Sequence, residues 1–261
     1  MKPNFKQNQN NIMPPHSTIF ISTCTSRKTF KSENMPCAGA LHENSLEEAA
    51  KSWRSLIREQ TELIEAQRLY CGTGFSNALR ASTKLAADHW IISAGLGLIR
   101  ADEKIPTYNL TLNGNGESGI RPRIKTDFNP QKWWEAINKS KSGISTIAKL
   151  VTSRPKAAVI LALSKPYLEL IVSDLAAIPE KQLNRIRIVG PAKSQNLPDI
   201  INDLILPYDE RLDGPRSPNR GTKSDFAQRA ALHFATAIWA NNKNGSFLQH
   251  SNSLEISLNT M

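Results

Sequence analysis

The sequence predicts an α/β protein with a single mixed or mostly parallel sheet flanked by helices, and with a small helical insertion. Strand-like apolar runs alternate along the chain with segments of helical periodicity, which is the pattern of α/β layers. Residues 157–163 are apolar without interruption, as expected for a parallel strand buried on both faces. Hydrophobic residues make up 39% of the 261 residues, which is enough for a large core.

The first half of the chain contains two predicted strands and two predicted helices. Residues 18–22 form a β-rich run that ends in a polar and basic loop. Ser45 and Glu48 match a capping box, so a helix is expected to begin there. A second helix is expected at about residues 74–87, and a strand follows at residues 90–92.

The second half continues this alternation. Pro130 begins a helix and a second short helix follows Gly143, which together form a helical insertion at about residues 129–154. The elements expected after it are strands at 157–163, 186–190 and 204–206 and helices at 165–177 and 224–240. Residues 18–240 therefore form one domain. Residues 1–17 and 241–261 are rich in polar residues, and we expect a disordered N-terminal tail and a flexible C-terminal tail.

Composition and spacing argue against several classes of protein. No apolar run approaches the roughly 18 residues of a membrane span, and no signal sequence is recognisable, so a cytoplasmic protein without a membrane partner is expected. Three cysteines are too few for a disulfide framework. The histidines lack metal-site spacing, so no metal is expected. Gly95 and Gly97 do not complete a dinucleotide fingerprint, so no cofactor is expected.

Three clusters of polar residues each follow a predicted strand. They are residues 24–28, residues 93–97 and residues 209–214. Ligands of α/β sheets bind beyond the carboxyl ends of parallel strands, and these clusters would meet at one such edge. The sequence therefore predicts a site at this edge of the sheet.

Cys24 is the candidate nucleophile of the predicted site. Arg27 and Lys28 follow it closely, and positive charge near a thiol favours the reactive thiolate. The alternative is a strand-end cysteine that points into the core beside a basic surface loop. The spacing alone favours neither interpretation.

The stretch between Ser93 and Asn109 could form a second wall of the site. Gly95 and Gly97 could let the backbone approach a ligand closely, although glycine pairs are common in ordinary turns. Tyr108 could stack on a planar heterocycle and Asn109 could hydrogen-bond to it. The more common role of such a pair is to close a loop against the backbone.

The excess of basic residues favours a polyanionic partner. Lys and Arg total 33 against 23 Asp and Glu, which gives a net charge of +10. Adjacent tryptophans in the insertion cannot share one helix face, so at least one should be partly exposed or near an edge, beside basic residues. The alternative is a core tryptophan flanked by a solvated face. The candidate phosphate contacts of the insertion are Trp133, Lys139, Lys141, Lys149 and Arg154.

Three motifs together resemble the YaaA-like family. Residues 90–112, WIISAGLGLIRADEKIPTYNLTL, are similar to the family's strand, Ser-(Ala/Gly)-x-x-Gly step, acidic loop and Pro-x-Tyr segment. Residues 28–30 are similar to its Lys-Thr-Leu after the first strand, and residues 220–235 are similar to its C-terminal helix. The chain departs from the family at Cys24, because the family has Ser-Pro ahead of the lysine.

Within the family, Cys24, Cys71-Gly72 and residues 209–214 most resemble members that act on 7-deazaguanine bases in DNA. The resemblance implies an enzyme that converts 7-cyano-7-deazaguanine in DNA to 7-amido-7-deazaguanine, which is a nitrile hydration. It also implies DNA carrying that base as the partner, together with other proteins of the DNA modification cluster.

The implied reaction gives the candidate residues their roles. Cys24 would attack the nitrile carbon, with Lys28 or Ser93 at the developing negative nitrogen. Asp209 or Asp225 would serve as the base. Gly95, Gly97, Tyr108 and Asn109 would hold the modified base, and Arg27, Arg220 and Arg229 would add to the DNA contacts of the insertion. A non-catalytic DNA-binding protein and a nucleobase glycosidase or base-exchange enzyme remain as alternatives.

Overall fold

The computed structural model describes residues 18–42, 45–112, 114, 116–139, 141 and 143–261. The strands in this part of the chain are β1 (Thr18–Thr23), β2 (Leu63–Glu65), β3 (Asp88–Ser93), β4 (Gly97–Arg100), β5 (Lys104–Pro106), β6 (Ala158–Ala162) and β7 (Ile186–Val189). Five of them form a sheet in the order β4-β3-β1-β6-β7, in which only β4 is antiparallel to its neighbour. Strands β2 and β5 form a separate antiparallel pair. The predicted fold class is confirmed.

Helices cover both faces of the sheet. They are α1 (Leu46–Arg58), α2 (Ala66–Leu69), α3 (Thr73–Leu85), α4 (Pro130–Asn138), α5 (Ile147–Ser153), α6 (Lys165–Leu170), α7 (Val172–Ala176), α8 (Asp199–Asn202), α9 (Phe226–His233) and α10 (Phe247–Asn259). None of these described helices has the length and apolar character needed to cross a membrane.

The two faces of the sheet carry separate cores. Ile19 and Ile21 of β1 belong to one core, which also contains Trp53 of α1 and Trp133 of α4. Phe20 belongs to the other core, which α3, α9 and α10 complete. Neighbouring strand residues point to opposite faces, and both faces are covered. This is why the centre of β1 is apolar without alternation.

Local sequence signals locate most elements correctly. The capping box of α1 is present, since Ser45 Oγ accepts from the backbone N–H of Glu48 at 3.3 Å and the Glu48 carboxylate accepts from Ser45 N–H at 3.2 Å. The helix expected at 165–177 is divided into α6 and α7, because Ile171 has φ −111° and ψ 9°. Residues 204–206 form only a parallel bridge to β7, between Ile188 and Ile205.

The prediction of a flexible tail at residues 241–261 is wrong, because this segment contains helix α10. Ser246 caps α10 through a capping box with Gln249. Leu254 and Leu258 of this helix are buried in the core that α9 shares. Apolar residues are sparse in this segment, so its Asn- and Ser-rich composition does not predict a helix. The N-terminal tail predicted for residues 1–17 lies outside the described residues.

Gly95 and Gly97 belong to a tight β3–β4 hairpin that is packed against side chains. Gly97 has a φ of +70°, and a Cβ there would lie 2.2 Å from Asn138 Oδ1. A Cβ on Gly95 would lie 2.8 Å from the ring of Tyr108. The space beside both glycines is therefore filled by the protein itself, which corrects their assignment to ligand binding.

Gly97→Ala is expected to lower the free energy of unfolding by about 2–4 kcal/mol, because left-handed strain adds to steric overlap. Gly143→Ala is the matched control, since Gly143 also has a positive φ (+79°) but a Cβ there meets nothing within 4 Å. Urea denaturation of both variants measures the difference. Equal losses of stability would contradict the packing of Asn138 on Gly97.

Two buried histidines are held in hydrogen bonds within the core. His89 Nε2 lies 2.8 Å from Ser22 Oγ, and His233 Nδ1 lies 2.9 Å from the Tyr208 hydroxyl. Burial lowers the pKa of each imidazole to about 4. His233 is therefore a core histidine.

Acidification is expected to destabilise the protein through these histidines. The folded pKa of about 4 is below the unfolded value of about 6.5, so the unfolded chain binds more protons between these pH values. Stability therefore falls as the pH drops below 6.5, by about 2 kcal/mol per histidine at pH 5. The loss of stability between pH 7 and pH 5, measured by urea denaturation, should be smaller in His233→Gln than in the wild type by about 2 kcal/mol. A loss equal to that of the wild type would contradict a neutral, buried His233.

Candidate functional site

A cavity of about 450 Å³ lies beyond the carboxyl ends of β1 and β6. The chain proceeds from β1 to β3 on one side and from β6 to β7 on the other, so these two strands flank the topological switch point of the sheet. Crevices at such points are the usual ligand sites of open α/β sheets. The cavity is lined by residues 23–27, residues 71–75, Ser164, Tyr167, Thr222, Ser224, Asp225 and Gln228.

Cys24 occupies the β1 side of this cavity. Its backbone N–H donates to the carbonyl of Ile92 at 3.0 Å, which extends the β1–β3 ladder and fixes its position. Its Sγ lies 3.2 Å from the hydroxyl of Tyr167, a residue of α6. Burial raises the pKa of Tyr167, and a neighbouring Cys24 charge raises it further. The tyrosine therefore stays protonated and can donate to a Cys24 thiolate.

Lys28 interacts electrostatically with the same thiol. Its Nζ is 4.3 Å from the ring centre of Tyr108 and 5.8 Å from that of Tyr70. Burial lowers the pKa of Lys28, whereas Cys24 and Cys71 oppose this shift electrostatically. The lysine is thus a partly desolvated cation that interacts electrostatically with both Cys24 and Cys71.

A chain of buried hydroxyls runs from Ser93 to Tyr70. Ser93 Oγ accepts from the N–H groups of Gly95 at 3.3 Å and Leu96 at 2.9 Å, so its proton is directed to Tyr108 Oη at 2.6 Å. Tyr108 then donates to Tyr70 Oη at 2.7 Å. In this order the Tyr70 hydroxyl accepts from Tyr108, so Tyr70 can donate its own proton to a group outside the three hydroxyls.

The sulfur of Cys24 lies within electrostatic reach of Tyr70. Burial raises the pKa of Tyr70, and a charge on Cys24 raises it further. Ser93 is fully buried and Tyr108 is 1% exposed, so both act behind the cavity wall. This corrects the assignment of Ser93 to the nitrile nitrogen and of Tyr108 to the face of a bound base.

The first turn of α3 forms another wall. Gly72 is its N-cap with a φ of +102°, and no side chain caps the helix. Thr73 and Gly74 of this turn line the cavity. Unbonded N–H groups of a first helical turn and the helix dipole both favour a negative charge. Arg27 packs along Gly72 and is exposed at the rim, where it remains a candidate DNA contact.

Asp225 supplies a carboxylate to the opposite wall. Its Oδ1 accepts from Thr222 N–H at 2.9 Å and from Arg229 Nε at 2.9 Å. All of its bonds to described residues use this oxygen, which leaves Oδ2 for the cavity. Gln228 also lines the wall and donates to Thr23 Oγ1 at 3.0 Å, which ties α9 to the end of β1.

Asp209 does not line the cavity. Arg211 Nη2 lies 2.6 Å from Asp209 Oδ2 and 2.9 Å from Oε2 of Glu255 in α10, so it forms ion pairs with both carboxylates. The hydrogen bonds from Arg211 lower the pKa of Asp209, which makes it a poor base. Asp209 therefore anchors the C-terminal helix, and its assignment as a catalytic base is corrected.

Asn109 is a loop-closing residue. Its N–H donates to the carbonyl of Pro36 at 2.7 Å and its carbonyl accepts from Ala38 N–H at 2.9 Å. Its side-chain amide donates to Cys37 Sγ at 3.7 Å. Asn109 is outside the cavity lining, so its assignment to base binding is corrected as well.

Both tryptophans of the insertion are buried. Trp133 donates to the carbonyl of Ala94 at 2.8 Å, and Trp134 donates to Asp174 at 3.3 Å. Helix α4 is packed on several sides, against α1, α6 and β4, so residues on different faces of it are covered. This corrects the expectation that one tryptophan is exposed and the assignment of Trp133 to DNA.

Three lysines of the insertion line one groove of about 380 Å³ between α4 and α5. Lys139 and Lys149 are exposed there and remain candidate phosphate contacts. Lys141 donates to the carbonyl of Leu98 at 2.6 Å, and burial lowers its pKa to about 8. Lys141 is therefore a weaker cation with a structural bond.

Two of the predicted DNA-binding arginines are held in ion pairs. Arg154 lies 2.5 Å from Asp88, beside the amino end of β3. Arg229 is 2% exposed and pairs with Asp225 and Asp213. Arg229 is structural here, which corrects its assignment to DNA, whereas Arg154 is partly exposed and remains a candidate contact. Arg220 is exposed and remains a candidate contact.

Three residues of the site, Tyr70, Cys71 and Tyr167, are not predicted by the sequence. Cys71 and Tyr167 line the cavity, and Tyr70 ends the chain of hydroxyls. No local motif identifies these residues, because they come from distant segments that meet only in the fold. The backbone bond from Cys71 N–H to the carbonyl of Arg27, at 3.1 Å, joins two of those segments.

The fold and cavity define an α/β protein with a thiol-bearing crevice at the switch point of a mostly parallel sheet. Among the described residues, no group of three or more His, Cys, Asp or Glu is placed to hold a metal ion. No protein-family model matches the chain, and no curated protein or solved structure is significantly similar to it.

Proposed function

We propose that the protein hydrates the nitrile of 7-cyano-7-deazaguanine in DNA to the amide, with Cys24 as the nucleophile. The observation that carries the proposal is the Cys24 thiol in the switch-point cavity, 3.2 Å from the Tyr167 hydroxyl and in electrostatic interaction with Lys28. The substrate comes from the resemblance to the YaaA-like family, and within it to DpdC, a protein of the DNA 7-deazaguanine modification cluster.

The first chemical step is the attack of the Cys24 thiolate on the nitrile carbon. A C–S bond forms, and one π pair of the nitrile moves to nitrogen, which takes a proton from the Tyr167 hydroxyl. The product is a neutral thioimidate. Lys28 stabilises the thiolate before attack and the Tyr167 phenolate after it.

The second step is hydration of the thioimidate. Asp225 takes a proton from water while the hydroxide adds to the carbon, and the same proton passes to nitrogen. Collapse of the tetrahedral species breaks the C–S bond, restores the Cys24 thiolate and returns a proton to Tyr167. The sum is addition of one water to the nitrile, without a cofactor.

Delivery of the base requires DNA at the rim of the cavity. The net charge of +10 favours such a partner through phosphate contacts. Arg27 and Arg220 are exposed, and Lys139 and Lys149 line the α4–α5 groove. A cavity of about 450 Å³ admits a single base, so the base leaves the stack or comes from single-stranded DNA. We place this activity in the cytoplasm, together with the other proteins of the modification cluster.

The test is to incubate the purified protein with DNA that contains 7-cyano-7-deazaguanine and to digest the DNA for nucleoside mass spectrometry. We expect the cyano nucleoside to be replaced by one heavier by a single water. Release of a free base would indicate a glycosidase or base-exchange enzyme. Salt-sensitive DNA binding with an unchanged base would indicate a non-catalytic DNA-binding protein. Either result would overturn the proposal.

A further inference from the structure

A second cavity, of about 400 Å³, lies at the opposite edge of the sheet from Cys24. It is bounded by the amino ends of β6 and β7 and by the segment that leads into α10, and Ala158, Arg187 and Phe247 mark these three walls. Four of its lining residues are basic and none is acidic. The charged residues of this cavity are therefore all basic, whereas an ordinary surface mixes basic and acidic residues.

Arg187 is the buried cation of this cavity. It is 4% exposed, and its guanidinium donates to His250 Nδ1 at 3.1 Å and to the carbonyls of Asn184 at 2.7 Å and Gly245 at 3.0 Å. These partners are neutral, and no carboxylate of the described residues forms an ion pair with Arg187. Burial lowers its pKa to about 10. A buried charge of this kind needs a counter-ion.

Arg185 adds a second guanidinium to the lining of this cavity. Its Nη atoms donate to the carbonyls of Ala157 and Val151, the second at 2.6 Å. Its Nε is buried and has no hydrogen-bond partner in the described structure. This atom is too buried for a ligand to reach, so Arg185 contributes positive charge to the cavity wall and no bond from its Nε.

Lys156 and Lys243 complete the set at the mouth of the cavity, and both are exposed. They come from the turn before β6 and the loop before α10, and the two arginines lie at the start of β7, so the fold brings four cations together from three segments. Trp239 and Phe247 also line the cavity, which adds apolar surface beside the charges. This combination suits an anion carried on a partly apolar molecule.

We propose that this cavity binds a phosphate ester, with Arg187 at its base and Lys156 and Lys243 at its mouth. Oxygens of a phosphate are strong acceptors for guanidinium and ammonium donors. The ester is supplied by a small phosphorylated molecule or by the DNA backbone, since both present the same group. This site is separate from the Cys24 cavity and does not depend on the nitrile chemistry.

The test uses inorganic pyrophosphate as the probe and thermal unfolding of the full chain as the readout, at constant ionic strength. The variant Lys156→Ala/Lys243→Ala removes two exposed cations without opening the core. The variant Lys51→Ala/Lys84→Ala is the charge-matched control, because both lysines are exposed on α1 and α3. We expect pyrophosphate to raise the Tm of the wild type and the control, and to bind the first variant about tenfold more weakly or worse.

Titration of a short DNA duplex with the same three proteins identifies the source of the phosphate. A loss of DNA affinity specific to Lys156→Ala/Lys243→Ala assigns the site to the DNA backbone. Unchanged DNA affinity, with pyrophosphate binding still weakened, assigns it to a small phosphorylated molecule. The same Tm rise in all three proteins, or no rise in the wild type, would overturn the proposal.

Discussion

Cys24→Ala is expected to lower the rate of amide formation on cyano-modified DNA by at least about a thousandfold. The variant removes the sulfur that lies 3.2 Å from the Tyr167 hydroxyl and leaves the cavity slightly enlarged. Cys24→Ser is expected to be similarly impaired, because a serine hydroxyl is a weaker nucleophile than a cysteine thiol. Nucleoside mass spectrometry over a time course measures both rates.

Cys37→Ala is the matched control for this experiment. Cys37 is also a partly exposed free thiol, but it lies outside the cavity and donates to the carbonyl of Glu117 at 3.4 Å. The Cys37→Ala variant should retain the wild-type rate. DNA affinity should be unchanged in Cys24→Ala, Cys24→Ser and Cys37→Ala. Full amide formation by Cys24→Ala would rule out covalent catalysis and leave direct attack by water, with Asp225 as the base.

Arg229→Ala is expected to lower the free energy of unfolding by about 3–5 kcal/mol, because it leaves two carboxylates without their buried partner. Arg229 is 2% exposed and joins Asp213, at 2.7 Å, to Asp225, at 2.9 Å. It also donates to the backbone carbonyls of Asn219 at 2.6 Å and Thr222 at 2.8 Å. Urea denaturation measures the loss.

Arg220→Ala separates this structural role from DNA binding. Arg220 is exposed in the same segment, so its loss should leave stability within about 0.5 kcal/mol of the wild type while weakening DNA binding. A stable Arg229→Ala protein with reduced DNA affinity would contradict the structural role of Arg229. It would restore the interpretation of this arginine as a phosphate contact.

The sheet could be predicted from the sequence because each of its main strands carries its own signal. Continuous apolar runs predict β1, β3, β6 and β7, since both faces of a parallel sheet are covered. The capping box at Ser45 and the proline at Pro130 locate two helices. Helix α10 could not be predicted in this way, because the tertiary contacts of Leu254 and Leu258 stabilise it.

The site could be predicted only in part. Order along the chain predicts the edge of the sheet and Cys24, since both depend on where β1 ends. It does not predict which loops meet there, because that depends on the path of the chain in three dimensions. Residues 93–97 face the core, while Tyr167 and Asp225 reach the cavity from distant helices. Residue type alone likewise cannot separate a buried arginine, such as Arg229, from an exposed one.

The central claim is that Cys24 attacks the nitrile carbon. Its most direct test is peptide mass spectrometry after acid quench of a single turnover on cyano-modified DNA. The wild type should be compared with Asp225→Asn, in which slower hydration should let the thioimidate accumulate. A modified-base adduct is expected on the peptide that contains Cys24 in at least one of the two proteins. Amide formation by the wild type with Cys24 unmodified in both, or an adduct on Cys71 instead, would contradict it.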